Sequence, residues 1–199
     1  MPQPIEFFFD FSSPYGYIAS RLIDDLAAKH GRAVTWRPIL LGAIFKVTGM
    51  APLTTIPMKG TYVQRDFPRT AQFLGVPFKM PAVFPFSGVA ANRAFYWLDS
   101  SDPKAAHGLA QALYNHAFSG HDIASPEAVI EVAVATGIDR AAVTAGIGSP
   151  EAKDRTRAEN DAAAARNVFG SPYIVVDGEP FWGTDRLDQV EKWLETGGW

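Results

Sequence analysis

Ser13 is the first residue of this chain whose type and place could do chemistry. It lies in Phe7-Phe8-Phe9-Asp10-Phe11-Ser12-Ser13-Pro14-Tyr15-Gly16-Tyr17, where an apolar run stops at Asp10 and a helix can start at Pro14. Proline suits the first helical position, because its missing N–H would have no partner there anyway. Ser13 is thus at or beside an N-cap, where a hydroxyl meets free backbone N–H groups. That end of a helix is partly positive and favours an anion, so a serine there can hold a thiolate or a carboxylate. Two further segments stand out: Gly170-Ser171-Pro172 before an apolar run, and Trp182-Gly183-Thr184-Asp185 before a last helical stretch. Each also has a plainer reading. Ser13 is equally a simple cap, Pro172 an ordinary loop proline, and Thr184 or Asp185 another N-cap.

The elements that must position these residues follow from pattern. Residues 5–11 read as an aromatic-rich buried strand, 14–30 as one amphipathic helix closed by Gly31, and 34–40 as a second strand. This β-α-β start favours a parallel pair. The middle is rich in proline and glycine and predicts helices over 41–48 and 61–74, separated by the loop 49–58. Further helices are expected over 88–98, 105–118, 126–136, 140–145 and 152–167, with Ser125-Pro126 and Ser149-Pro150 as strong starts. Strand character returns at 173–176 and 180–182 around the hairpin signal Asp177-Gly178, and 186–195 predicts a closing helix.

At 199 residues, the chain can be one domain or one domain with an insertion. Its 47% apolar and 20% charged residues are ordinary for a globular protein, and a net charge of -3 gives no reason to expect nucleic acid or an anionic membrane. No apolar run approaches a membrane span, and the short stretch 5–9 is no signal peptide, so a cytoplasmic location is expected. With 0 cysteines, disulfides, thiolate metal sites and a cysteine nucleophile are excluded, while thiol chemistry on a ligand is not. The 4 histidines are scattered, and His116 and His121 have poor zinc spacing, so they read as surface or structural and no metal is expected.

Taken in order, the motifs resemble the thioredoxin superfamily, and within it the DsbA-like branch with a helical insertion. More narrowly, the chain resembles the family of kappa-class glutathione transferases and 2-hydroxychromene-2-carboxylate isomerases. Asp10-Phe11-Ser12-Ser13-Pro14-Tyr15 is similar to that family's D-x-x-S-P-[YF], and Lys59-Gly60-Thr61-Tyr62 with Asp66 to its K-G-x-Y…D. Phe169-Gly170-Ser171-Pro172 is similar to F-G-x-P, whose proline is cis, and Trp182-Gly183-Thr184-Asp185-Arg186-Leu187 to W-G-x-D-R-L. The implied fold is α/β: a thioredoxin-like β-α-β and β-β-α sheet domain, residues 1–42 and 168–199, interrupted by an all-helical insertion, residues 43–167.

The resemblance implies that Ser13 takes a catalytic serine position, with Gly16 where a second cysteine could sit, so that redox chemistry on the protein is lost. It implies glutathione as cofactor, with the Ser13 hydroxyl donating to its sulfur. A charge-assisted hydrogen bond and a helix dipole are together worth roughly 2–3 kcal/mol, enough to lower a thiol pKa by about two. Pro14, Tyr15, Lys59, Ser171, Pro172, Trp182, Gly183, Thr184 and Asp185 are the implied cofactor-binding residues. Of these, the Ser171 backbone would pair with the cysteinyl backbone, Thr184 and nearby N–H groups with the α-carboxylate, and Asp185 with the α-ammonium. Lys46, Met50, Phe84 and Asn92 are the implied substrate residues. Lys46 and Lys59 suit a carboxylate, either the glycine end of glutathione or an aromatic acid, and Tyr15, Phe45, Phe84, Phe86 and Trp182 suit an apolar pocket. Met50 departs from the family's Asn. The implied activity is glutathione-dependent interconversion of 2-hydroxychromene-2-carboxylate and trans-o-hydroxybenzylidenepyruvate, by a homodimer. The alternatives are a kappa-type transferase and a non-catalytic glutathione- or peptide-binding module.

Overall fold

The computed structural model describes residues 3–199, so the first two residues of the expected sheet domain lie outside it. Four strands form one mixed sheet in the order β2-β1-β3-β4: β1 Ile5–Phe9, β2 Val34–Pro38, β3 Tyr173–Val176 and β4 Glu179–Trp182. β1 runs parallel to β2 and antiparallel to β3, and β3 turns into β4 through Asp177-Gly178. Both turn residues have positive φ, 52° and 93°, as a two-residue hairpin requires. The chain therefore has the α/β thioredoxin-like fold of the DsbA type, with helices inserted between β2 and β3.

Alternation along β1 sets the two faces of the sheet. Phe7 and Phe9 join Phe11, Trp36 and Tyr114 in the larger core, while Phe8 turns to the other face with Ile44, Val168 and Tyr173. That larger core continues into the insertion through Phe95, Leu109, Val129 and Val143, so sheet and helices share one apolar interior. Each such fully buried side chain contributes about 1.5–3 kcal/mol of transfer free energy.

The expected helix over 14–30 is divided: α1 is Pro14–Ser20 and α2 is Ile23–Lys29. The Ser20 hydroxyl donates to the Tyr17 carbonyl at 2.6 Å, and the Arg21 and Leu22 N–H groups reach only three residues back. Such tight bonds replace the α-helical ladder and let the axis turn. The insertion follows as α3 Leu41–Thr48, a 3-10 turn at Leu53–Thr55, α4 Lys59–Phe73, α5 Val89–Asp99, α6 Pro103–Ala117, α7 Pro126–Ala135, α8 Arg140–Gly148 and α9 Pro150–Ala165. Ser125 and Ser149 cap α7 and α9 as their Ser-Pro pairs predict, accepting Ala128 N–H at 3.2 Å and Ala152 N–H at 3.1 Å. A 3-10 turn, Thr184–Arg186, leads into the closing helix α10, Leu187–Thr196. Among the described residues, no helix is long and apolar enough to cross a membrane.

Glu6 ties β1 to its neighbours. It accepts from Arg37 Nε at 2.8 Å and from Arg166 at 2.9 Å, and both guanidinium groups lie over the Phe8 ring. The hydrogen bond from Arg166, followed by opposing burial and the two positive charges, leaves the Glu6 carboxyl below its ordinary value. A depressed carboxylate stabilises the fold above its unfolded pKa and loses that contribution as pH falls through the folded one. Glu6→Gln is therefore expected to lower the urea midpoint at pH 7, with the deficit shrinking as pH falls below the ordinary carboxylate range; a deficit that stays constant on acidification would contradict this.

Candidate functional site

The site forms where β1 ends. Ser13 has extended backbone angles, φ -88° and ψ 114°, and caps α1: its Oγ accepts the Gly16 N–H at 3.0 Å. The same hydroxyl donates to the Ser171 carbonyl at 3.0 Å, and the residue is 8% exposed. Ser171 and Pro172 are joined by a cis peptide bond. The Ser171 hydroxyl accepts the Asp10 N–H at 3.0 Å, and the Pro172 carbonyl accepts the Gly183 N–H at 3.1 Å. Ser13, the loop before β3 and the loop after β4 thus meet.

Tyr15 anchors the next layer. Its hydroxyl donates to Asp66 on α4, its ring meets Phe67 edge-on at 4.9 Å, and its carbonyl accepts the Thr184 hydroxyl at 2.7 Å. Burial, reinforced by that bond to Asp66, holds the phenol far above its ordinary value, so Tyr15 is a proton donor and structural strut. Burial alone would raise Asp66, yet hydrogen bonds from Tyr15, Arg69 and Tyr62 hold it below the usual carboxylate range.

Other expected residues are placed as follows. Neither Thr184 nor Asp185 caps the last helix, which corrects the sequence expectation. Gly183 and Arg186 occupy the cap positions of the 3-10 turn and α10, with no side-chain cap bond at either. The Thr184 hydroxyl is taken by Tyr15, while the Asp185 carboxylate, 73% exposed, pairs only with its neighbour Arg186 at 2.9 Å. Trp182 is half-exposed and lies against Phe169 and over Gly170, where a Cβ would fall 2.2 Å from the indole nitrogen. Phe84 connects to Tyr15 through Phe67 and continues to Phe86, each ring pair at 6.4 Å. Lys46 on α3, Met50 after it and Lys59 at the start of α4 are exposed. Among the described residues, neither lysine makes a hydrogen bond or ion pair. Asn92 is fully buried, its amide donating to the Gly88 carbonyl at 3.0 Å and its Oδ1 without a partner. His116 and His121 stack on each other with ring centres 4.6 Å apart.

Two residues escaped the sequence reading. Tyr114 on α6 is completely buried and its hydroxyl donates to the Asp10 carbonyl at 2.8 Å. Its helical spacing marks it as core, and nothing local identifies its partner. Asp10 is itself buried, and desolvation raises its carboxyl above the ordinary value. The sequence marks Asp10 as the strand end and the head of the Ser13 motif, but not its partners, Leu41 and Ser171.

Known proteins match this chain over nearly its whole length. The DSBA-like thioredoxin domain family matches residues 4–195. The chain is 31% identical to 2-hydroxychromene-2-carboxylate isomerase of Sphingobium xenophagum, covering 98% of this chain and 99% of that one. It is 24% identical to glutathione S-transferase kappa 1 of Homo sapiens, covering 98% and 94%. A solved structure of a 2-hydroxychromene-2-carboxylate isomerase superposes with a TM-score of 0.85 at 28% identity, covering 97% and 95%.

Proposed function

Because this chain belongs to the DSBA-like thioredoxin domain family, alongside 2-hydroxychromene-2-carboxylate isomerases and kappa glutathione transferases, we propose that it is a glutathione-dependent isomerase of the chromene-carboxylate type. The observation that carries this reading is the Ser13 hydroxyl, buried, held by Gly16 N–H, and aimed at the Ser171 carbonyl in a chain with no cysteine. A disulfide enzyme needs a thiol at that point. A serine supplies none, so any thiol chemistry at this point needs a thiol brought by a ligand.

The residues present suit glutathione. Ser13 can direct its proton to a sulfur while Gly16 continues to hold its oxygen. The Ser171 carbonyl, relieved of that proton, can accept an amide N–H of an extended peptide. Asp185 offers an exposed carboxylate to an α-ammonium, and Trp182 offers a half-exposed indole face. When bound, glutathione supplies a thiolate nucleophile that is regenerated after each turnover. Tyr15, Phe84 and Phe86, joined through the buried Phe67, offer partly exposed aromatic rings that suit an aromatic acid, and Lys46 and Lys59, without partners among the described residues, are cations able to meet its carboxylate.

The test is turnover of 2-hydroxychromene-2-carboxylate with and without glutathione, with total thiol measured throughout. Isomerisation that requires the thiol and leaves its concentration constant is the expected result. Stoichiometric loss of thiol would favour the transferase, and isomerisation at the same rate without thiol would remove the proposal.

A further inference from the structure

We propose that Asp10 is a positioning residue, whose two carboxylate oxygens hold the Ser13 loop and the start of α3 in one register. This rests on the reading of Ser13 given above. Oδ1 accepts both the N–H and the hydroxyl of Ser12 at 2.7 Å, and Oδ2 accepts the Leu41 N–H at 2.7 Å. The main chain of Asp10 completes the junction. Its N–H donates to Ser171 Oγ at 3.0 Å, and its carbonyl accepts the Ser13 N–H at 2.8 Å and the Tyr114 hydroxyl at 2.8 Å. One residue therefore joins Ser13, the Ser171 loop, α3 and α6.

Asp10 is 4% exposed, and among the described residues no Lys, Arg or His pairs with it. A buried carboxylate without a counter-charge is unfavourable by itself, so its retention needs a geometric reason. The donor count supplies one. An ionised carboxylate accepts on both oxygens, whereas an asparagine has one acceptor and would turn its NH₂ against a backbone or hydroxyl donor. α3 carries Lys46 and ends beside Met50, so Oδ2 registers the proposed substrate side against the Ser13 loop, which Oδ1 holds through Ser12.

Leu41 offers a second cut, with Leu41→Ala as the control for its packing against the Phe8 cluster. It is the first residue of α3, and Leu40 before it is extended at φ -107° and ψ 94°. Proline at that position fits the backbone and removes the one N–H that Oδ2 accepts. The experiment compares wild type, Asp10→Asn, Ser12→Ala, Leu41→Ala and Leu41→Pro. It reads steady-state kinetics, thiolate absorbance of bound glutathione, melting temperature, and amide hydrogen exchange at Gly16, whose N–H reports the Ser13 hydroxyl without any ligand. Asp10→Asn is expected to lower kcat/KM at least twentyfold and to speed Gly16 exchange at least tenfold, with α7 amides unchanged. Leu41→Pro is expected to raise the KM for the chromene acid at least fivefold and leave the thiolate signal intact, whereas Ser12→Ala weakens that signal. Unchanged Gly16 exchange in Asp10→Asn, or losses in Leu41→Pro and Ser12→Ala confined to melting temperature, overturns the proposal. If Asp10→Asn does not fold, the two milder variants decide. Failure of the isomerase reading shows separately, as absent turnover by wild type, and leaves the exchange result standing.

Discussion

Ser13→Ala is expected to keep the fold and lose the thiolate. Its hydroxyl contacts both Gly16 N–H and the Ser171 carbonyl, so alanine removes donor and acceptor together. A hydrogen bond to a charged partner contributes about 1.5–3 kcal/mol, which corresponds to about a ten- to hundredfold smaller thiolate fraction at pH 7. The stability effect is separate. Loss of an N-cap serine costs about 0.5–2 kcal/mol, a drop of a few degrees in melting temperature for a chain of this size. The two effects are read independently, by ultraviolet thiolate absorbance at saturating glutathione and by thermal melting. There is also a sign to check in the pH profile. Without the hydroxyl, the thiol still ionises, but at higher pH, so activity of the variant should rise toward wild type over about two pH units. A variant with full thiolate absorbance at neutral pH would take Ser13 out of its proposed role. A variant that melts normally but recovers no activity at high pH would assign the hydroxyl to something other than ionising sulfur.

What was legible in the sequence was local. Ser13-Pro14, Ser125-Pro126 and Ser149-Pro150 each announce a helix start, because capping is satisfied within one turn of the residue that performs it. Asp177-Gly178 announces a hairpin for the same reason. If both halves of the chain share one sheet, Ser13, Ser171 and the Gly183 loop can lie at one edge; they do share it, and Ser13 bonds Ser171 while Gly183 bonds Pro172. What escaped was carried by distant partners. Ser13 and Ser171 are 158 residues apart, Asp10 and Tyr114 are 104 apart, and no pattern in a single chain pairs particular side chains over such spans. Thr184 shows the limit well. Its position predicted a cap, yet the nearby Tyr15 carbonyl takes the hydroxyl, and a tertiary acceptor overrides the local one. Ser20 shows the converse, since a hydroxyl bonding back to Tyr17 ends α1 early inside an unbroken amphipathic pattern.

Gly16→Ala is expected to damage both stability and activity, against the usual sign of that substitution. In an exposed helix, alanine is better than glycine by about 0.5–1 kcal/mol. At position 16, however, a Cβ would lie 2.6 Å from Ser171 Oγ, 2.7 Å from Tyr114 Oη and 3.1 Å from Ser13 Cβ. These neighbours are not loose ends. Ser171 Oγ holds the Asp10 N–H, and Tyr114 Oη holds the Asp10 carbonyl from a completely buried ring. Either they withdraw, leaving buried partners unsatisfied at about 1–3 kcal/mol each, or α1 shifts outward and takes Ser13 away from Ser171. Overpacking itself adds about 1–3 kcal/mol. The net expectation is a loss of about 3 kcal/mol in urea unfolding, with the thiolate signal of bound glutathione reduced at least tenfold in the remaining folded protein. Gly16→Cys should suffer more, since its sulfur needs still more room. The same crowding bears on function: any side chain at position 16 is closed out by Ser171 and Tyr114. Wild-type stability and activity in Gly16→Ala would mean that this closure is absent.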